Sequence, residues 1–121
     1  MYSRELLDHF ENPRNAGVVE ESDASARVEN PACGDILELS VRLEQDRIVD
    51  IRFRAKGCVA AMACGSAITV MAKGKSVAAA RKISREDLLE KIGGLPEASG
   101  HACALAMDAL AALLRNLRDK A

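Results

Sequence analysis

Between residues 37 and 56 the apolar side chains recur at every second position, and no other feature of the chain restricts its fold as much. Leu37, Leu39, Val41 and Leu43 alternate with Glu38, Ser40 and Arg42; Val49, Ile51, Phe53 and Ala55 alternate with Asp50, Arg52, Arg54 and Lys56. A period of two is that of a strand with one buried face. The polar turn Glu44-Gln45-Asp46-Arg47 is short enough to make the two strands an antiparallel hairpin. At Gly57 the alternation stops. An Ala- and Met-rich run over 58–72 follows, ending at Lys73-Gly74, and it reads as a buried helix. Its 15 residues include Gly65, Ser66 and Thr69, and a membrane span needs roughly 20.

The rest of the chain supplies elements to cover that hairpin. Leu6, Leu7 and Phe10 suit a short amphipathic helix over 3–10 that ends before Asn12-Pro13. A loop runs through Gly17, the polar stretch 20–25 is expected to be mobile, and Val28 opens a first short strand. Residues 76–81 give a short helix. Ser84-Arg85-Glu86-Asp87 resembles a capping box that opens another, which stops at Gly93-Gly94. After Pro96, the leucines and alanines from Leu105 to the basic end at Arg118 and Lys120 form a broad apolar stripe on the longest helix. Strands first and helices afterward predict one α+β domain over 1–121, a small three-stranded antiparallel sheet with helices packed on one face. A helical bundle with a stray hairpin is the other arrangement the pattern permits.

Only Tyr2, Phe10 and Phe53 are aromatic, so the core is built from aliphatic side chains, which favours tight helix packing over a large aromatic-lined pocket. The 17 basic and 18 acidic residues leave a net charge of −1 and form no long block, which argues against nucleic acid as a partner. Met1-Tyr2-Ser3-Arg4-Glu5 is charged at once and has no apolar secretory core, so a cytoplasmic location is expected. Four cysteines in such a protein point to metal or sulfur chemistry rather than to disulfides.

Those cysteines fall at element boundaries. Cys33 and Asp35 flank Gly34 where a loop becomes a strand, and on extended backbone residues two apart point the same way. Cys58 follows Gly57 at a strand-to-helix junction, where the positive end of the helix is expected to lower the thiol pKa. Cys64, six residues on, is turned about 240° from Cys58 and reads as a small buried residue. His101 and Cys103 precede the last helix; before it begins both can face one site, whereas within it they diverge by about 200°. Each of these residues also has an ordinary packing or capping role open to it. The separations of 25 residues from Cys33 to Cys58 and 45 from Cys58 to Cys103 exclude a C-x-x-C knuckle, so the tertiary fold must assemble any site. Soft thiolates select zinc, copper(I) or iron-sulfur clusters, and one harder carboxylate makes the set more labile.

Along nearly its whole length the sequence resembles the IscU/NifU/SufU scaffold family. Tyr2-Ser3 and Asp8-His9-Phe10-Glu11-Asn12-Pro13-Arg14-Asn15-Ala16-Gly17 resemble that family's opening segment. Asn30-Pro31-Ala32-Cys33-Gly34-Asp35 resembles its first cysteine motif and Phe53-Arg54-Ala55-Lys56-Gly57-Cys58 its second, with Lys73-Gly74-Lys75-Ser76 at the family's distance. The resemblance implies a SufE/NifU-like fold and a non-enzymatic scaffold. On it a transient [2Fe-2S] cluster would form from an iron donor and a cysteine desulfurase, and leave for recipient apo-proteins. It implies that Cys33, Asp35 and Cys58 are functional and that zinc can occupy the empty site, in a monomer or weak homo-oligomer. The family's third motif is a His followed directly by a Cys; here Ala102 separates His101 from Cys103, so either can be the last ligand. Leu95-Pro96-Glu97-Ala98-Ser99 departs from the Leu-Pro-Pro-Val-Lys segment read by a dedicated Hsp70-type chaperone, so dependence on that chaperone is not expected. By its length the chain is expected to carry neither the SufU insertion, which favours scaffolding over zinc-dependent sulfur transfer from a persulfide, nor the further domains of full NifU.

Overall fold

A computed structural model describes residues 1–31 and 34–120, with side chains through 117. Helix α1 (Arg4–Glu11) leads to an antiparallel sheet of β1 (Ala24–Asn30), β2 (Asp35–Glu44) and β3 (Arg47–Lys56) in the order β1-β2-β3. Four helices follow: α2 (Val59–Ala72), α3 (Val77–Ala80), α4 (Arg85–Lys91) and, after a 3-10 turn over Glu97–Ser99, α5 (Gly100–Lys120). The three-stranded α+β arrangement expected from the sequence is the one formed. Helices α2 and α5 lie on the face that carries Ala26, Leu37, Leu39, Val41, Ile51 and Phe53, all buried. The other face carries a charged row, in which Glu38 pairs with Arg54 at 3.1 Å and with Arg27 at 3.6 Å.

The hairpin turns on Gln45 and Asp46, both at positive φ, as a two-residue turn that follows the strand twist requires. Its alternation differs from the sequence reading at one place. Arg42 pairs with Asp50 and Leu43 with Ile48, so Val49 is a bulged extra residue and Ile48, not Val49, enters the core. Strand β1 begins at Ala24 rather than near Val28. Its inward side chains are small, which hides the pattern from sequence but lets α5 pack closely across it. The stretch expected to be mobile is tied to β2, since Asp23 N donates to Val41 O and Asp23 Oδ2 accepts from Leu43 N.

Helix α2 is buried on nearly every side, as its composition predicts. It crosses the sheet at Gly65, where a Cβ would stand 2.7 Å from Phe53 Cδ2, so only a glycine permits the approach. Ser84 and Asp87 form the capping box of α4 reciprocally. In α1 the apolar face is smaller than expected: Leu6 is buried but Leu7 is exposed, and His9 takes the inward place against Ser66 of α2. Among the described residues no helix is long and apolar enough to cross a membrane.

Candidate metal centre

Three elements begin at one end of the molecule, and each brings one donor there. Asp35 opens β2 opposite Asn30, at the end of a loop closed by a 2.7 Å hydrogen bond from Gly34 N to Asn30 O, and it is 4% exposed. Cys58 is the N-cap of α2, its Sγ accepting from Ala61 N at 3.4 Å. His101 is the second residue of α5. Cys58 Sγ lies 3.5 Å from Asp35 Oδ2 and 3.8 Å from His101 Nε2, and His101 Nε2 lies 3.4 Å from Asp35 Oδ2. His101 is about a third exposed and Cys58 half-buried, while the Asp35 carboxylate is almost covered.

These separations carry chemical meaning. An ion bound tetrahedrally, with ligand bonds of about 2.0 to 2.3 Å, spaces its ligand atoms roughly 3.3 to 3.8 Å apart. The three observed distances fall in that range. Thiolate, carboxylate and imidazole together form a mixed donor set that suits zinc or iron and leaves a fourth position for another ligand. Among the described residues this is the one such group of three donors.

The electrostatics differ from the sequence expectation. Burial pushes the Cys58 thiol above its ordinary pKa; the Ala61 and Ala60 N–H groups pull it down, and the Asp35 carboxylate pushes it up again. The helix start contributes as foreseen, but desolvation and the neighbouring anion outweigh it. A cation held by these donors would reverse the balance by taking the place of the thiol proton, and its binding would release that proton.

The other sequence candidates lie apart from this triad or outside view. Cys33 falls outside the described residues. Helix α5 starts at Gly100, earlier than the sequence reading placed it, so His101 and Cys103 lie within the helix and diverge. Cys103 is fully buried, its Sγ 3.9 Å from Arg85 O, and burial raises its pKa. The turn at Gly100 does not deliver it to the triad. Cys64 is also fully buried, as expected, and desolvation pushes its pKa up to about 12. What the sequence did not disclose is how closely Gly57 approaches Asp35; glycine before a helix-start cysteine was the one available signal.

Residues 1–121 match the family described as NifU-like N terminal domain. The iron-sulfur cluster assembly scaffold protein IscU 1 of Archaeoglobus fulgidus is 46% identical over 110 residues, covering 91% of this chain and 72% of its own length. The scaffold protein IscU of Escherichia coli is 37% identical over 123 residues, covering 98% of this chain and 95% of that protein. In fold, the chain is similar to the crystal structure of a nitrogen-fixing NifU-like protein (N-terminal) from Brucella abortus, with a TM-score of 0.79 at 20% identity, over 98% of this chain and 95% of that one.

Proposed function

The chain belongs to the NifU-like N-terminal domain family, and from that membership we propose that it is a scaffold for a transient [2Fe-2S] cluster. The cluster is cargo. It is assembled from iron and from sulfur supplied by a cysteine desulfurase, then passed to apo-proteins. The observation that carries this reading is the spacing of Asp35, Cys58 and His101, which suits ligands of a common ion. Cys33, two residues before Asp35, completes the proposed set; Cys103 is left out because its thiol lies in the core against Arg85.

Each donor then has a role. Cys58 and Cys33 supply the soft thiolates that hold iron, and His101 is the neutral, partly exposed ligand, where a donor or recipient reaches the cluster. Asp35 is the harder ligand that weakens the set and lets the cluster leave. With no cluster present, the same donors and spacing suit zinc.

Anaerobic reconstitution with ferrous iron, cysteine, a cysteine desulfurase and a thiol reductant, which together with the iron reduces persulfide sulfur to sulfide, tests the proposal. Visible absorption with about two iron and two sulfide per chain is expected, followed by transfer to an apo-ferredoxin. Colourless protein that keeps one zinc and carries persulfide on a cysteine would replace scaffolding with sulfur transfer. In the scaffold, Asp35→Ala should lengthen the life of the cluster and slow its transfer; faster release than the parent would contradict the role given to the carboxylate.

A further inference from the structure

The Asp35 carboxylate stands in the space where residue 57 would have a side chain. A Cβ built on Gly57 meets Asp35 Oδ1 first, with Asp35 Cγ at 2.6 Å and Asp35 Cβ at 3.0 Å. Ordinary contacts to Cγ need about 1 Å more than this. The other carboxylate oxygen, Oδ2, is the one that faces Cys58 Sγ and His101 Nε2. A carboxylate is rigid and planar, so a group that displaces Oδ1 by that amount carries Oδ2 with it. Asp35 has little room elsewhere, being 4% exposed and paired through its backbone with Asn30. Gly57 itself has φ +152, a conformation that L side chains rarely adopt.

We infer that Gly57 is a positioning residue of the centre: its missing side chain makes the space that holds the Asp35 carboxylate turned toward Cys58 and His101. This rests on the scaffold reading and deepens it, since it makes the lability assigned to Asp35 depend on its neighbour before α2. A glycine needed only for the backbone and one needed for the carboxylate have opposite signatures. If Gly57 serves only the fold, Gly57→Ala loosens the protein and the cluster is lost sooner. If Gly57 positions Asp35, Gly57→Ala removes the labilising ligand and the cluster lasts longer, as in Asp35→Ala.

The test is a double-mutant cycle of Gly57→Ala and Asp35→Ala in the full chain, read by the lifetime of the reconstituted cluster and by the melting temperature of the metal-free protein. Gly57→Ala should lengthen the lifetime by the same factor as Asp35→Ala, and the double variant should match either single one within about a factor of two, the scatter expected for independent measurements. In the metal-free protein, Gly57→Ala lowers the melting temperature, and adding Asp35→Ala restores part of the loss because the carboxylate in the way is gone. The part due to φ stays. A shortened lifetime in Gly57→Ala, or the same melting loss in both backgrounds, overturns the inference. If Gly57→Ala alone fails to fold, recovery of a folded double variant supports it and an unfolded double variant overturns it. Should the parent build no cluster at all, the scaffold reading fails, while the melting comparison still decides whether Gly57 makes room for Asp35.

Discussion

Helix α2 carries two polar clusters, and they differ in the chemistry of their members. At its middle, Ser66 Oγ lies 2.8 Å from His9 Nδ1 and accepts from Arg14 N at 2.9 Å, while Thr69 Oγ1 accepts from Asn15 Nδ2 at 3.1 Å and donates to Ser66 O at 2.7 Å. At its N-terminus, Cys58, Asp35 and His101 stand 3.4 to 3.8 Å apart. Each cluster contains a histidine brought from a distant part of the chain. The first network satisfies its polar groups at ordinary hydrogen-bond lengths and so fastens α1 and the following loop to α2. The second brings a thiol, a carboxylate and an imidazole within reach of one another, donor types that suit a metal ion. Hydroxyl, amide and imidazole groups make the first cluster and thiol, carboxylate and imidazole the second, and this difference in chemistry tells them apart.

The sharpest way to break that comparison is to remove one member from each cluster. Cys58→Ala should abolish cluster assembly while changing stability by no more than about 1 kcal/mol, because its capping contact is a weak one at 3.4 Å. Cluster absorbance that survives in Cys58→Ala would show that the second cluster is not the ligand set.

Next in size is the contrast between His101 and Cys103. Their positions within α5 put one thiol in the core and leave one imidazole partly exposed. His101→Ala should lose the cluster, whereas Cys103→Ala should retain it and cost about 1 kcal/mol of stability as an ordinary core substitution. The reverse result, obtained by iron analysis of both variants, would mean that α5 rotates when the cluster binds.

Ser66→Ala should then show the opposite profile to Cys58→Ala. It leaves Arg14 N and His9 Nδ1 without their partner in a buried place, a loss worth about 1 to 3 kcal/mol, with cluster assembly intact. Urea unfolding and reconstitution on one preparation measure both. Normal stability would show that the first network is not what fastens α1.

The same contrast explains what the sequence disclosed. Periodicity revealed β2, β3 and α2, because burial of a whole face leaves its mark on every second or nearly every residue. It missed the start of β1, whose inward Ala24 and Ala26 carry little hydrophobic signal, and it placed Leu7 rather than His9 inward, because the bond to Ser66 joins residues 57 apart. At the candidate centre, Asp35 and Cys58 were legible as residues at element starts. The divergence of His101 from Cys103 was not, because Gly100 read as a break whereas its backbone is helical. The raised pKa of Cys58 was also hidden, since it follows from burial and from an aspartate 23 residues away.

The smallest effect concerns acid. Burial lowers the pKa of His9, the Arg14 guanidinium and Lys91 lower it further, and Asp8 opposes them. In the unfolded chain this imidazole takes its proton near 6.5. Above that pH both states are neutral and His9 adds no pH dependence. As pH falls through 6.5, the unfolded state binds a proton that the native state accepts only at lower pH, so stability declines until the native pKa is passed. Urea unfolding at pH 7.5 and 5.5 should therefore show a larger loss for the parent than for His9→Gln, a neutral side chain of similar reach. Carboxylates titrate alike in both proteins, and the comparison subtracts them. Equal losses would mean that His9 is not held neutral, and the first network would then tolerate the charge that its burial argues against.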